Sequence, residues 1–235
     1  MALPKLNESP SYMVTVPSSG QETTFRPFLV KEQKALLIAF ETQDRKDMLR
    51  SVVRTIHACV EDPITTDLTT FDVDYLFTKI RAKSVGESAE VQISCSECDT
   101  KNEVSIDLDS VEVDGDVDAG KVELTDSISV QMRYPSYEEY LTNPTLLEGE
   151  SLTEGLMELM ISCMDSVLTE EERVSLSDEP KEQVVDFIDS MNPEQFERLA
   201  TFVSTIPSVS KDITFTCTSC GHENERTLKG MDDFF

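Results

Sequence analysis

Two short segments of this chain share one pattern, and each carries two cysteines separated by two residues. The four cysteines are Cys95 and Cys98 in the first copy, and Cys217 and Cys220 in the second. Alternating β-prone residues precede each pair, and an Asn-Glu pair begins seven residues after the first cysteine of each copy. This pattern is typical of a hairpin whose turn presents two thiols. Because a tetrahedral zinc ion takes four thiolates, the two hairpins together predict one zinc-ribbon-like site.

The cellular environment decides between zinc and disulfide chemistry at these cysteines. The N-terminal Met1-Ala2-Leu3-Pro4 has no basic and apolar regions of the signal-peptide kind, and no run approaches the roughly 20 apolar residues of a membrane span. We therefore expect a protein that stays in the cytoplasm of the cell that makes it and does not bind membranes. In that reducing compartment, paired cysteines with metal-ligand spacing are better interpreted as zinc ligands than as disulfides.

Two alternatives for the cysteine pairs follow from the sequence. A redox CxxC usually opens a helix in a thioredoxin-like βαβ context, which surrounds neither pair. His222 is an alternative ligand in place of one thiolate, but the first copy has Thr100 at that offset, which favours a polar turn residue. Cys59 and Cys163 lie alone inside apolar helical patterns, so we expect both in the core.

Hydrophobic periodicity predicts an α+β fold in which amphipathic helices pack with the two CxxC hairpins. The segments expected are an extended arm or hairpin over residues 1–30, a helical segment over 31–87, the first CxxC hairpin and an acidic β region over 88–134, a helical bundle over 135–207, and the second CxxC hairpin with an acidic-aromatic tail over 208–235. The length of 235 residues allows one large domain or two small ones with a substantial core, and we expect one compact unit.

A helix start is predicted inside the 135–207 segment. Asn192 is suited to the N-cap, Pro193 to the first helical position, and Gln195 to a capping box that closes back on Asn192. The sequence therefore predicts separate helices on either side of Asn192.

The charge of the chain argues against nucleic-acid binding. Its formal net charge is −26, and residues 1–60 hold eight Lys and Arg against six Asp and Glu, so the rest of the chain carries −28. A field of that sign repels phosphate backbones. The predicted ribbon is also surrounded by acidic residues, which are Glu97, Asp99, Glu103, Glu223 and Glu225. A zinc-ribbon nucleic-acid-binding or regulatory protein is therefore the alternative, not the favoured, function.

Catalytic motifs give no support for an enzyme. The chain has two histidines, His57 and His222, and contains no glycine-rich phosphate loop, nucleophile elbow or HExxH motif. Asp114, Asp116 and Asp118 have the spacing that begins an EF-hand loop, but the chain lacks the glycine and glutamate that complete one. We expect a protein without enzymatic activity.

The C-terminus ends in two phenylalanines, Phe234 and Phe235, after Asp232 and Asp233. Aromatic side chains bury a large area at low entropic cost, so this tail is suited to anchor in the pocket of a partner. The alternative is that the phenylalanines fold back onto their own domain.

Two further segments carry a resemblance. Residues Phe25 to Lys34 and Phe71 to Glu87, followed by CxxC, resemble the baseplate hub family of T4-like contractile-tailed phages. The resemblance implies a role in the viral tail baseplate without enzymatic activity, with other hub and tail proteins as partners and possible self-association. The family includes hub subunits and hub assembly factors, so both roles remain open, as does presence in the finished virion.

Partner-binding residues are expected in the basic-leaning part of the chain and at its end. The basic N-terminal residues and the acidic remainder form a dipolar surface that can orient the protein between partners. A holdase-like chaperone with an adaptable surface at Met157, Met160 and Met164 is another possibility. The candidate contact residues are Arg26, Lys31, Lys34, Arg81, Lys83, Phe234 and Phe235.

Overall fold

The computed structural model describes residues 10–143, 145–146 and 152–234. The chain forms two compact units and not the single unit that we expected. The first unit contains the described residues of 1–66, 71–114 and 208–235, and the second contains 67–70 and those of 115–207. Among the helices of the described residues, none has the length and apolar character needed to cross a membrane.

The fold is mixed, as the sequence predicted. The α-helices of the described residues are α1 (Val30–Thr42), α2 (Arg45–Cys59), α3 (Thr70–Val85), α4 (Tyr137–Thr142), α5 (Leu152–Cys163), α6 (Lys181–Asp189) and α7 (Pro193–Ser204). The strands are β1 (Tyr12–Thr15), β2 (Glu22–Phe25), β3 (Ser88–Ser94), β4 (Lys101–Asp107), β5 (Glu112–Asp114), β6 (Lys121–Glu123), β7 (Ser129–Met132), β8 (Met164–Leu168), β9 (Arg173–Ser175), β10 (Ser208–Thr216) and β11 (Glu223–Lys229).

The described N-terminal residues form a hairpin of β1 and β2, with Tyr12 opposite Phe25. Its turn is tied to the start of α3 by a buried carboxylate. Asp72 accepts hydrogen bonds from the backbone N–H of Ser18 at 2.8 Å and from its hydroxyl at 2.6 Å. Because a buried carboxylate needs such donors, Asp72 fixes where the hairpin turn lies on α3.

Helices α1, α2 and α3 lie in the helical segment predicted over residues 31–87, and a break separates α1 from α2. Gln43 follows α1 with a φ of 57°, a left-handed conformation that ends the helix. Asp44 then caps α2 by accepting a hydrogen bond from the N–H of Asp47. The two caps turn the chain so that α2 runs back along α1.

Two β-hairpins and the third helix build the core of the first unit. Strand β3 pairs with β4, and β10 pairs with both β11 and β5, all antiparallel. The buried residues of this core are Ala82, Ala89, Ile106, Leu108, Val111, Val209, Ile213, Leu228 and Phe234. The core joins residues of the middle of the chain to residues of its end.

The second unit is an insertion in the first. The chain leaves the first unit after Asp114 and returns at Ser208, and these two residues are paired across β5 and β10. Gly115 begins the insertion with a φ of 117°, and a Cβ there would lie 3.1 Å from the Cα of Pro207. Glycine therefore suits this close approach.

The second unit contains an antiparallel sheet of order β6-β7-β8-β9. Its core is made by this sheet and the helices α5, α6 and α7, through the buried residues Leu124, Val130, Met132, Met160, Cys163, Met164, Val184, Ile188, Leu199 and Val203. The helix start was predicted correctly, since Asn192 and Gln195 form the capping box of α7.

A helical bundle over 135–207 was the wrong description of that segment. Strands β8 and β9 lie within it, and β8 follows α5 directly. Strand β8 pairs with β7, which buries Met164 and Ser166. The short run from Met164 to Leu168 has no helix-length periodicity, and its strand partner lies more than 30 residues earlier in the chain.

Candidate metal centre

Each CxxC lies in the tight turn of a hairpin, and the two turns have the same backbone geometry. In the first, the N–H of Cys95 donates to the carbonyl of Thr100 at 2.9 Å. In the second, the N–H of Cys217 donates to the carbonyl of His222 at 2.8 Å. The residue after the second cysteine is left-handed in both, with φ of 54° at Asp99 and 73° at Gly221. The turns therefore present their thiols in the same way.

The four sulfur atoms converge on one point. All lie within 4.8 Å of one another. Across the two turns, the sulfur of Cys95 is 3.7 Å from that of Cys220, and the sulfur of Cys98 is 3.6 Å from that of Cys217. Thiolates at about 2.3 Å from a tetrahedral zinc ion have sulfur–sulfur separations of about 3.8 Å. The cluster therefore fits a single zinc ion.

Each turn has one buried cysteine and one exposed cysteine. The first cysteine of each pair, Cys95 or Cys217, is buried, and the second, Cys98 or Cys220, is exposed. A metal ion can therefore reach the cluster from solvent. Four thiolates complete a tetrahedral shell and leave no position for substrate or water, so the donor set is that of a structural site and not a catalytic one.

Backbone N–H groups stabilise the thiolate form of the two buried cysteines, Cys217 and Cys95. The N–H groups of Cys220 and Ser219 point to the sulfur of Cys217 and lower its pKa to about 6. At Cys95 burial raises the pKa, but the N–H groups of Glu97 and Cys98 outweigh it and lower the pKa overall. These hydrogen bonds stabilise the thiolate, which is the form that binds metal.

The two hairpins are also joined by a pair of buried asparagines. Asn102 on β4 accepts hydrogen bonds from the N–H and hydroxyl of Thr218, at 2.9 and 3.0 Å. Asn224 on β11 accepts from the N–H and hydroxyl of Ser96, at 2.9 and 3.0 Å. Each asparagine therefore holds the turn of the other hairpin.

Sequence reasoning assigned no role to these asparagines. The available signal was their position, because both lie seven residues after the first cysteine of their copy. Four zinc ligands explain why the cysteines recur in both copies, but they do not explain why an asparagine recurs at the same offset. The repeated asparagine therefore indicates a second structural role shared by the two hairpins.

His222 is not one of the converging ligands. The group of possible metal-ligating side chains found in the described residues consists of Cys95, Cys98, Cys217 and Cys220. The backbone carbonyl of His222 instead accepts hydrogen bonds from the N–H of Cys217 and from the side-chain amide of Asn224. His222 therefore serves the turn, as its offset in the repeat suggested.

The comparisons with known proteins identify the family. The family model described as T4 bacteriophage base plate protein matches residues 9–235. The chain belongs to this family. A search of curated proteins and a search of solved structures each gave no match. The resemblance seen at Phe25 to Lys34 and Phe71 to Glu87 is therefore confirmed for the baseplate, and association with other phage tail or baseplate proteins follows from it.

Three of the candidate contact cations of the baseplate protein are half-buried in its first unit. Arg26 pairs with Glu32 at 2.9 Å and donates to the carbonyl of Ala58 at 2.8 Å. Lys83 pairs with Glu87 at 2.6 Å and also contacts Asp109. Burial lowers the pKa of Arg81. These contacts place Arg26 and Lys83 in the packing of their own unit.

The remaining candidates of the baseplate protein divide between surface and core. Lys31 and Lys34 on α1 are exposed. Phe234 is fully buried in the core of the first unit, so it folds back onto its own domain. Phe235 lies outside the described residues.

Proposed function

We propose that this baseplate protein is a non-enzymatic component of the hub of a contractile phage tail. It acts as a hub subunit or as a hub assembly factor, and it binds other hub and tail proteins. The match of the family over residues 9–235 is the observation that carries this proposal. The protein would assemble in the host cytoplasm and reach the tail baseplate of the virion if it is a subunit.

A structural zinc ion is the second part of the proposal. The ion would be held by Cys95, Cys98, Cys217 and Cys220, whose sulfur atoms have the separations of a tetrahedral four-thiolate site. It would cross-link the β3–β4 hairpin to the β10–β11 hairpin. A zinc cross-link between distant parts of a chain adds binding free energy to folding, so the ion would stabilise the association of the two hairpins.

The contact surface is proposed to be the exposed side of α1. Five of the eight large apolar residues that are exposed in the described chain lie on α1 or at its start, namely Leu29, Val30, Leu37, Ile38 and Phe40. Lys31 and Lys34 are exposed on the same helix. An exposed apolar surface that also carries positive charge is typical of a protein–protein contact.

Quantitative mass spectrometry of purified virions, beside the unpurified lysate, separates the two roles. A hub subunit is expected in virions at a fixed copy number, whereas an assembly factor is expected in the lysate and not in virions. A phage that lacks the gene is expected to form no complete baseplates in either case. Normal baseplates in that deletion would overturn the proposal.

A further inference from the structure

The metal centre has an internal two-fold arrangement. Asn102 makes the same hydrogen bonds to the second turn that Asn224 makes to the first turn. Asn102 also donates through its amide to the sulfur of Cys217 at 3.7 Å, and Asn224 donates to the sulfur of Cys95 at 3.6 Å. In both cases the sulfur belongs to the other hairpin and is the buried member of its pair.

Each asparagine uses its whole hydrogen-bonding capacity at the centre. A side-chain amide has two acceptor positions on its oxygen and two N–H donors. The oxygen of Asn102 accepts from the N–H and hydroxyl of Thr218, and its nitrogen donates to Cys217 and to the carbonyl of Thr100 at 2.8 Å. Asn102 is 4% exposed, so a residue with a different donor and acceptor pattern would leave buried groups without partners.

Asn224 satisfies the same four positions. Its oxygen accepts from the N–H and hydroxyl of Ser96, and its nitrogen donates to Cys95 and to the carbonyl of His222 at 3.1 Å. It is 2% exposed. At this short reach, asparagine supplies two acceptor positions and two N–H donors, whereas a serine or threonine hydroxyl has a single donor.

We propose that Asn102 and Asn224 are positioning residues of the metal centre. Each one docks the two hairpins and directs one N–H at a thiolate of the opposite turn. The inference rests on the proposed zinc site and adds a role for two residues outside the ligand set. Since none of these hydrogen bonds involves the metal, the asparagines hold the half-sites together before an ion binds.

Two consequences distinguish positioning from simple packing. Residues that orient metal ligands typically change metal affinity by about 10- to 100-fold when they are removed. The amide N–H also withdraws electron density from the sulfur, so its loss should shift the sulfur-to-metal charge-transfer absorption of the cobalt-substituted protein to longer wavelength. A side chain that only packs against its neighbours would not move this band.

The test uses the full-length protein and the variants N102A, N224A and the double variant. The matched control is E103A with E225A, because both glutamates are exposed and each follows an asparagine on the same strand. Zinc affinity is measured by competition with a chromophoric chelator, and Co²⁺ absorption is measured on the same samples. Circular dichroism shows whether each variant is folded. If the double variant is unfolded, the two single variants still provide the test.

The expected result is a loss of zinc affinity of about 10-fold or more for each asparagine variant, with a longer-wavelength charge-transfer band and no change in the control. Wild-type affinity and an unshifted band in the asparagine variants would overturn this inference and leave the zinc site standing. Failure of the unmodified protein to bind Zn²⁺ or Co²⁺ would overturn the zinc site itself, and this inference with it.

Discussion

At the residue scale, individual polar side chains hold this baseplate protein together by joining distant parts of the chain. Asp72 holds the turn at Ser18, and the two asparagines hold opposite hairpins. Such contacts fix particular geometries because a buried polar group without its partner is costly. They are also the contacts that a single substitution tests most cleanly.

Glu139 gives a residue-scale prediction for pH dependence. Burial raises the pKa of its carboxyl, but hydrogen bonds from Arg133 at 2.7 Å and from the N–H of Ser136 outweigh burial and lower the pKa overall. A carboxyl whose pKa is lower in the folded state stabilises the protein above its unfolded pKa, and this stability is lost as pH falls through the folded pKa.

We therefore expect E139Q to reduce stability by about 0.5 to 1 kcal/mol at pH 7, because the pair is partly exposed to solvent. The difference in unfolding free energy from the unmodified protein should shrink as pH falls below 4.5, the ordinary pKa of a glutamate. Urea unfolding at pH 7 and at acidic pH measures it. E138Q, on the same helix, is the matched control. A difference that grows on acidification would contradict the assignment.

At the element scale, the sequence predicted local structure well and long-range pairing poorly. The capping box at Asn192 and the two CxxC hairpins were predictable because their signals lie within a few residues. Strand β8 was not, because its five residues are defined by pairing with β7 and not by their own pattern. The cross-hairpin asparagines were missed for the same reason, since their contacts span more than a hundred residues.

Metal removal gives an element-scale prediction for the two CxxC hairpins. Chelation should leave the buried asparagine contacts in place but remove the link among the four sulfurs, so the turns should open more often. We expect faster amide hydrogen exchange at Cys95 to Thr100 and at Cys217 to His222 after treatment with a chelator. Exchange in α6 and α7, which lie in the other unit, serves as the internal control. Unchanged exchange in both turns would contradict a structural metal.

Helix α1 gives a second element-scale prediction. Ile38 is 64% exposed, so I38D should leave folding intact while it disrupts an apolar contact with a partner. We expect at least a tenfold loss of plaque formation when I38D replaces the wild-type protein in a phage that lacks the gene. M13D is the matched control because Met13 is 72% exposed on another element. Equal complementation by both variants would remove α1 from the contact surface.

At the scale of the whole molecule, the insertion of one unit into another explains the spacing of the CxxC pairs. Most of the second unit lies between Asp114 and Ser208, and these two residues are already paired in an antiparallel ladder. The two halves of the metal centre are therefore distant in sequence and adjacent within one unit. Hydrophobic periodicity did not predict this insertion, because it indicates where single helices and strands lie and not which of them pack together.

This arrangement predicts that the first unit folds without most of the second. Replacing residues 115–207 with Asn-Gly should convert β5 and β10 into a two-residue hairpin, since that turn suits paired antiparallel strands. Leu68 should be changed to serine in this variant, because it is buried in the full chain and belongs to the second unit. We expect a folded product with a cooperative thermal transition and an intact four-cysteine site. A disordered product by NMR would show that the first unit depends on the insertion.

The most direct test of the whole account is native mass spectrometry of the purified full-length protein, with zinc quantified by elemental analysis. The account predicts one zinc ion per chain and its loss when Cys95 and Cys217 are both replaced by serine. Replacement of Cys59 and Cys163, which are buried away from the site, should leave the zinc content unchanged. A chain without metal, or one zinc shared between two chains, would contradict it.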